Sequence, residues 1–186
     1  AIQPEIIINN RSQLPEDFST PEEHLTAADG KDWEACMTFN RISWGYLDSE
    51  QAAPYSYNAH GILRMLQNVC ASGGNLLLNI GPAPDGSVPA EAIGPLQAVG
   101  TWLDRYGDHA VYGNLTPCKV RSANGTGRFT QRGNTLYFWQ YIRSNQLIFG
   151  GFASKLRSIR VLPSQTPLSF QQTDRQIVVE PLPDEL

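Results

Sequence analysis

Apolar residues in the first 111 positions occur partly as short unbroken runs, which are typical of strands buried on both faces. An Ile-Ile-Ile run and a Leu-Leu-Leu run predict two such strands, over 5–9 and 75–80. A third apolar segment predicts another strand over 35–40. The last of the three strands is stopped by Gly81-Pro82.

Two other segments of this region show helical spacing of their apolar residues. The segment 57–71 places apolar side chains three and four residues apart and ends in Ser-Gly-Gly, which predicts a helix. The segment 89–106 has the same spacing with Gly94-Pro95 inside it, and it predicts a helix that is kinked or starts late. Because helices alternate with buried strands, these residues indicate parallel βα units.

Beyond residue 112 the helical spacing ends, and short β-type runs separated by turn signals take its place. The runs stand at 136–141, 146–149, 158–162, 168–172 and 177–180. Their spacing predicts an antiparallel sheet that forms half of a sandwich. The sequence therefore predicts an α/β domain over residues 1–111, followed by a small and incomplete β domain over residues 112–186.

The strands predicted before residue 112 are too few to close a sheet. A TIM barrel takes eight strands and about 250 residues, and the open edges of buried parallel strands are unstable in water. The first predicted strand also starts almost at Ala1. We therefore expect the rest of the sheet to come from another polypeptide or from further residues of a longer chain.

Composition and charge exclude several classes of function. The 18 acidic residues outnumber the 14 Lys and Arg, and the net charge of −4 leaves no basic footprint for nucleic acid. No apolar run approaches the roughly 20 residues of a membrane span. The sequence contains no phosphate loop and no nucleophile elbow, so acyl and phosphoryl transfer have no support. No Cys/His cluster suggests zinc, and we expect no cofactor and no metal. The scattered Cys36, Cys70 and Cys118 are interpreted as small buried hydrophobes.

The densest group of acidic side chains lies between Glu16 and Glu23, after the first predicted strand. In parallel α/β folds, ligands bind at the edge of the sheet where the strands end. Thr20, Pro21 and Glu23 have the spacing of a capping box, in which Glu23 reaches back to the Thr20 N–H. Glu22 is then left either as a first-turn acid that complements the helix dipole or as a functional carboxylate.

Three further residues are candidates because of their place beside a predicted strand. Arg11 follows the first strand and either forms a surface ion pair or hydrogen-bonds a polar substrate. Trp44 follows the second strand and either packs internally or offers an apolar face to a ring or a methyl group. Glu34, at the opening of the second strand, is interpreted as a buried, paired acid of structural use.

Four segments, in this order and spacing, carry a resemblance to a known family. They are Asp17-Phe18-Ser19-Thr20-Pro21-Glu22, Trp33-Glu34-Ala35-Cys36-Met37-Thr38, Ser43-Trp44-Gly45-Tyr46 and Gly73-Gly74-Asn75-Leu76-Leu77-Leu78-Asn79-Ile80-Gly81-Pro82. On these segments the chain resembles the C-terminal part of the α-L-fucosidases of glycoside hydrolase family 29. The resemblance covers nearly the whole chain.

The resemblance implies a fold, a reaction and a set of site residues. The fold is the last βα units of a distorted (β/α) TIM-like barrel, followed by a small antiparallel β-sandwich. The reaction is hydrolysis of α-linked L-fucose with retention, by an Asp nucleophile and a Glu acid/base roughly 5 to 5.5 Å apart. The acid/base falls at Glu22, with Glu23 as the fallback. Arg11 matches a residue that contacts the sugar, and Trp44 an aromatic that packs on the C6 methyl group of fucose.

The resemblance also implies that the chain lacks part of the site, because the family's nucleophilic Asp lies upstream of Ala1. We expect a fucosylated glycan as substrate, and as partner the N-terminal barrel portion, another chain or a second copy. A secreted, periplasmic or lysosomal-type compartment is favoured over the cytoplasm. The alternative hypothesis is a non-catalytic carbohydrate-binding module or partner subunit, with Trp139 and Tyr141 as exposed aromatics.

Overall fold

The computed structural model describes residues 3–13, 16–25, 31–113, 115–118, 120 and 126–183. The chain divides into two compact units, Ala1–Leu103 and Asp104–Leu186. Within the described residues, no helix combines the length and hydropathy that crossing a bilayer requires. The assignment of 1–111 and 112–186 to two functional domains stays a prediction.

The first unit contains a parallel three-stranded sheet, as the sequence predicts. Its strands are β1 (Phe18–Ser19), β2 (Asp32–Thr38) and β3 (Asn75–Asn79), with β2 in the middle. Both pairings are parallel, and Cys36 of β2 lies opposite Leu77 of β3. Since all three strands run in one direction, their carboxyl ends lie at one edge of the sheet.

Three helices accompany this sheet along the chain: α1 (Ser49–Ala52), α2 (Ala59–Ala71) and α3 (Ala90–Ala110). The prediction of α2 is confirmed, and this helix ends before Gly73, whose φ of 74° is the left-handed conformation that glycine adopts without strain. A kink or a late start was expected for the next helix, and the late start is wrong, because α3 begins at Ala90 and includes Pro95. A proline at that position removes one main-chain donor, which a helix of 21 residues tolerates.

Alternate residues of β2 divide between two faces and explain the core of the first unit. Trp33, Ala35 and Met37 are buried on one face. They form one apolar cluster with side chains of α2 and α3, namely Ile62, Met65, Val69, Ala92 and Val99. The opposite face of β2 carries Glu34, Cys36 and Thr38.

Two of the predicted buried strands differ from expectation. The segment 5–9 forms no strand; it pairs with β1 only through a bridge between Asn9 and Phe18. Ile6 and Ile7 are accordingly 56% and 72% exposed. The strand expected at 75–80 is present as β3, but Leu77 is 42% exposed. In both runs, apolar side chains that were expected to be buried are therefore exposed, because β2 and the described helices do not cover them.

The second unit contains antiparallel strands, as the turn-punctuated pattern predicts. They are β4 (Gly127–Arg132), β5 (Thr135–Gln140), β6 (Leu147–Gly150), β7 (Ile159–Arg160), β8 (Pro167–Leu168), β9 (Phe170–Gln172) and β10 (Gln176–Val179). A three-stranded sheet has the order β6-β10-β9, and β4 pairs with β5 and β7 with β8. Phe129 of β4 shares one core with Phe149 of β6 and Ile177 of β10. Strand β4 was missed because its polar residues hide the alternation.

The first strand of this unit also binds the end of α3. The Thr130 hydroxyl donates a hydrogen bond to the Ala110 carbonyl at 3.2 Å. The Arg132 guanidinium donates to the carbonyls of Asp108, at 3.0 Å, and of Tyr112. Carbonyls in the last turn of a helix have no partner within the helix, so β4 supplies partners for them.

Candidate active site

The polar side chains singled out by sequence gather at the carboxyl edge of the parallel sheet. Glu22 follows β1 and forms an isolated parallel bridge with Cys36, near the end of β2. Arg11 lies in a short 3₁₀ helix, Asn10–Ser12, just after the 5–9 segment. The fold thereby brings together residues that are 11 positions apart in sequence.

Arg11 and Glu22 form an ion pair. The distance between Arg11 Nη2 and Glu22 Oε1 is 2.6 Å, and each side chain is 48% exposed. The hydrogen bond to Glu22 raises the pKa of Arg11 above its ordinary value. The pair is thus open to solvent, and both groups are accessible to a ligand at this edge of the sheet.

Arg11 is held from its other side by a short chain of hydrogen bonds. Its Nε donates to Thr20 Oγ1 at 3.0 Å. The Thr20 hydroxyl donates in turn to Asn10 Oδ1 at 2.8 Å, which also accepts the Thr20 N–H at 3.1 Å. Sequence reasoning missed Asn10 as a site residue, and the Asn9-Asn10 pair beside Arg11 was the signal that could have revealed it.

The predicted capping box is wrong. Residues 21–25 contain no helix, and Asn10 rather than Glu23 binds the Thr20 N–H. The main chain here pairs instead with the edge of β2: Cys36 N–H donates to the Pro21 carbonyl, and Glu23 N–H to the Cys36 carbonyl, both at 2.9 Å. An open strand edge offers several main-chain partners at once, and it overrides the local preference for a helix.

Glu23 nevertheless has the structural task that the sequence predicts, with a different partner. Its φ of 55° turns the main chain away from β2. Its Oε1 then accepts the Thr38 N–H at 2.7 Å, two residues beyond Cys36. A side-chain oxygen thus occupies the position that a main-chain carbonyl would take if the ladder continued. The neighbouring carboxylates of Glu22 and Glu23 have separate partners.

Cys36 lies beside the ion pair of Arg11 and Glu22. Burial raises the pKa of its thiol, the charge of Glu34 raises it further, and the Arg11 guanidinium opposes both effects. Glu34 itself is half-buried on the same face of β2, rather than fully buried as the sequence predicts. Glu34 therefore influences the Cys36 thiol through its charge.

Trp44 lies in a segment after β2 that we call the Trp44 loop, residues 42–47. Its side chain is 42% exposed, and those of Ile42 and Tyr46 are 53% and 44% exposed. This loop and the Arg11–Glu22 pair both follow strands of the parallel sheet. The loop thus presents apolar faces in the region where the strands end.

The aromatics named for the alternative hypothesis do not form an exposed platform. Trp139 is only 7% exposed, and its Nε1 donates to Thr130 Oγ1 at 3.1 Å. Tyr141 is half-buried. Trp139 lies on the same face of the β4–β5 hairpin as Thr130 and Tyr137, opposite to the face on which Leu136 and Phe138 pack against the core.

Comparison with known proteins places the chain in a family. The family model described as Alpha-L-fucosidase matches residues 1–108. Plasma alpha-L-fucosidase of Rattus norvegicus is 38% identical over 94 residues, which are 50% of this chain and 19% of that protein. Tissue alpha-L-fucosidase of Bos taurus is 34% identical over 105 residues, which are 56% of this chain and 22% of that protein.

The fold gives the same result over a longer stretch. A crystal structure of Thermotoga maritima alpha-fucosidase in complex with a mechanism-based inhibitor superimposes with a TM-score of 0.83 at 28% identity. The match covers 98% of this chain and 42% of the other. The chain spans about a fifth of the length of the curated relatives and less than half of this solved structure. Because the family model matches more than half of its residues, the chain belongs to the alpha-L-fucosidase family.

Proposed function

We propose that this chain supplies the acid/base half of the active site of a retaining α-L-fucosidase. The observation that carries the proposal is the exposed Arg11–Glu22 pair at the carboxyl edge of a parallel sheet. In barrel enzymes, catalytic groups lie at this edge. Residues 1–111 form the last βα units of a distorted barrel, and residues 112–186 belong to a small β-sandwich.

Glu22 acts as the general acid and then as the general base. In the first step an Asp attacks the anomeric carbon of fucose while Glu22 gives its proton to the departing glycosidic oxygen, so that the C–O bond breaks. In the second step Glu22 takes a proton from water, whose oxygen attacks the anomeric carbon and releases the Asp. Fucose leaves with its original configuration, and both carboxyl groups return to their starting state.

Arg11 and Trp44 bind the sugar. Arg11 offers charged donors to a sugar oxygen, and Asn10 and Thr20 fix its direction through the hydrogen bonds described above. Trp44 packs its exposed face on the C6 methyl group, which is the apolar corner of fucose. The substrate is a fucosylated glycan.

The nucleophilic Asp comes from a part of the barrel outside these residues. The relatives are about five times as long as the stretch that this chain matches in them, which leaves room for the remaining strands. The missing portion belongs to the same polypeptide or to a partner, including a second copy. We place the enzyme in a secreted, periplasmic or lysosomal-type compartment, and the name of the relative from plasma supports secretion.

The first test is Glu22→Gln in the intact enzyme, assayed with two α-L-fucosides. A substrate with a poor leaving group needs protonation, so its kcat/KM is expected to fall by at least about 100-fold. An activated aryl fucoside leaves without a proton, so the first step with that substrate is expected to change by less than about tenfold. Burst and single-turnover kinetics separate that step from hydrolysis of the intermediate.

Glu16→Gln is the matched control for this experiment. Glu16 pairs with Lys31 at 2.9 Å before the start of β1, away from the strand ends. The same chemical change there is expected to leave both substrates unaffected. If Glu22→Gln behaves like Glu16→Gln, Glu22 is not the acid/base.

A further inference from the structure

The main chain of the Trp44 loop is bound by two side chains at the ends of β2 and β3. The Thr38 hydroxyl donates to the Ser43 carbonyl at 2.9 Å. The Asn79 amide Nδ2 donates to the Trp44 carbonyl at 2.9 Å and to Thr38 Oγ1 at 3.2 Å. These bonds bind two consecutive carbonyls of the loop, on either side of the Cα of Trp44.

The start of the loop is held by a third polar side chain. Asn40 is 5% exposed, and its Oδ1 accepts the N–H groups of Ile42 and Ser43 at 2.9 and 2.8 Å. A buried side-chain oxygen that takes two consecutive main-chain donors fixes the turn that leads into the loop. The loop is therefore defined at its entry as well as at Trp44.

Close packing against Gly81 fixes the loop from a further direction. A Cβ atom at Gly81 would lie 2.3 Å from the Gly45 carbonyl oxygen and 2.7 Å from the Tyr46 nitrogen. Those atoms belong to the main chain, which cannot turn aside as the tip of a side chain can. The loop thus rests on the bare main chain that follows β3, and a larger residue at 81 would displace it.

Thr38 also connects this loop to the catalytic segment. Its hydroxyl holds the Trp44 loop, whereas its N–H is bound by Glu23, the neighbour of Glu22. Thr38 is 3% exposed, so it serves both segments from within the fold. Thr38 therefore fixes the position of the Trp44 loop relative to the segment that carries Glu22 and Glu23.

We propose that Thr38 and Asn79 are positioning residues that set Trp44 for recognition of the C6 methyl group of fucose. The inference rests on the proposed function, since it takes Trp44 as the residue that packs on this methyl group. Thr38 and Asn79 act through the main chain of the Trp44 loop, and their loss lets the indole move away from the methyl group. The enzyme then loses preference for the methylated sugar.

The test measures that preference in the intact enzyme with two aryl glycosides. One is the α-L-fucoside and the other is the otherwise identical pyranoside that lacks the C6 methyl group. The readout is the ratio of their kcat/KM values, because a general loss of folded enzyme lowers both values and leaves the ratio unchanged. Trp44→Ala is expected to reduce the ratio by about tenfold, which is the order of one methyl group in an apolar contact.

Two substitutions test the positioning residues themselves. Thr38→Val removes the hydroxyl and keeps the shape and the N–H to Glu23, and it is expected to reduce the ratio by at least about threefold. Asn79→Asp keeps the size but replaces the donor with an oxygen that repels the Trp44 carbonyl, and the same reduction is expected. Thr38→Ser keeps the hydroxyl and is expected to retain the wild-type ratio.

The double variant Thr38→Val with Trp44→Ala decides whether Thr38 acts through Trp44. Its ratio is expected to equal that of Trp44→Ala alone. If Trp44→Ala reduces the ratio while Thr38→Val and Asn79→Asp leave it unchanged, the positioning role is wrong and the proposed function stands. If Trp44→Ala itself leaves the ratio unchanged, the proposed role of Trp44 fails, and the positioning role fails with it.

Discussion

Glu22 and Glu23 show how one main-chain torsion separates the tasks of two adjacent carboxylates. Glu22 keeps the extended pairing with Cys36, and its side chain meets Arg11. Glu23 has a positive φ, and its carboxylate replaces a main-chain carbonyl beside Thr38. A residue other than Gly or Asn rarely adopts this conformation, so the bond to Thr38 has to compensate the cost.

Substitutions at Glu23 test this division of roles. Glu23→Gln keeps an oxygen that can accept the Thr38 N–H, so kcat/KM is expected to stay within about threefold of wild type, far from the loss that removal of a general acid causes. Glu23→Ala leaves a buried N–H without its partner, at a cost of about 1–3 kcal/mol, and is expected to lower both stability and activity. The measurements are kcat/KM on a poor leaving group and the thermal midpoint.

The comparison with Glu22→Gln gives the decisive outcome. Severe loss of activity in Glu23→Gln, with Glu22→Gln close to wild type, would make Glu23 the acid/base. Glu23→Asn adds a conformational control, because Asn tolerates positive φ but its shorter side chain does not reach as far. It is expected to resemble Glu23→Ala more than Glu23→Gln.

At this scale the sequence predicted which residues matter better than it predicted why. Arg11 and Glu22 were named as candidates, and the fold brings them within 2.6 Å. The capping box failed because a local pattern cannot register an open strand edge that lies 14 residues further along the chain. Thr38 and Asn79 stand in the segments that carry the family resemblance but were not named as site residues, since a polar residue at the end of a buried strand has no local signature.

Among the elements, the contact between β2 and the turn after α2 requires a glycine at position 74. A Cβ atom at Gly74 would lie 2.2 Å from the ring of Trp33, which is only 2% exposed. A buried indole ring cannot shift without opening the cluster that it shares with α2. Gly74 therefore lets β3 begin directly against the core.

Gly74→Ala is expected to destabilise the protein by about 1–3 kcal/mol, as overpacking of a filled core does. Gly100→Ala is the matched control, because a Cβ atom there meets nothing within 4 Å and the residue lies inside α3. The control is expected to stabilise the protein by about 0.4–1 kcal/mol, through a smaller loss of main-chain entropy. Thermal or denaturant unfolding measures both. Equal effects of the two substitutions would mean that Trp33 does not restrict position 74.

Helices were predicted more accurately than strands for a physical reason. The apolar spacing of α2 reflects one buried face, which joins the core cluster of the first unit, and the pattern is complete within 13 residues. Strand β4 has the sequence Gly-Arg-Phe-Thr-Gln-Arg, which shows no regular alternation of apolar and polar residues. It forms a strand because it pairs with β5, and its own hydropathy pattern does not reveal this. The run at 5–9 has the composition of a strand, but it pairs with β1 at one residue only.

At the scale of the whole molecule, exposed apolar side chains lie where the sequence predicts buried strands. Ile6, Ile7 and Leu77 are between 42% and 72% exposed. The family relationship extends over less than half the length of the solved relative. Under the proposed function, further barrel strands cover these side chains and bring the nucleophile to Glu22.

The 186-residue chain alone is accordingly expected to show no turnover of an aryl α-L-fucoside. Under the proposed function the nucleophile lies outside these residues, so the covalent step is lost and Glu22 by itself offers only proton transfer. The assay requires a sample whose mass matches 20.6 kDa, so that longer forms are excluded. Addition of the complementary barrel portion is expected to restore activity.

Turnover by the chain alone that disappears in Glu22→Gln would contradict this expectation. The nucleophile would then lie within these residues or in a co-purified partner. Mass analysis of the enzyme trapped with a 2-fluoro fucoside would identify the labelled carboxylate and decide between those two sources.

The hydrogen bonds from β4 to the end of α3 have a consequence for the exchange of domains by recombination. The carbonyls of Asp108 and Ala110 find their donors in the strand that follows, so this last helical turn is completed by residues 112–186, here called the β unit. If the β unit were fused at residue 112 to a foreign catalytic domain, the donors in β4 would be separated from the carbonyls of Asp108 and Ala110. Gene fusions that keep residues 104–111 with the β unit carry the helix end and its donors together, and this is where we expect a transferable module to begin.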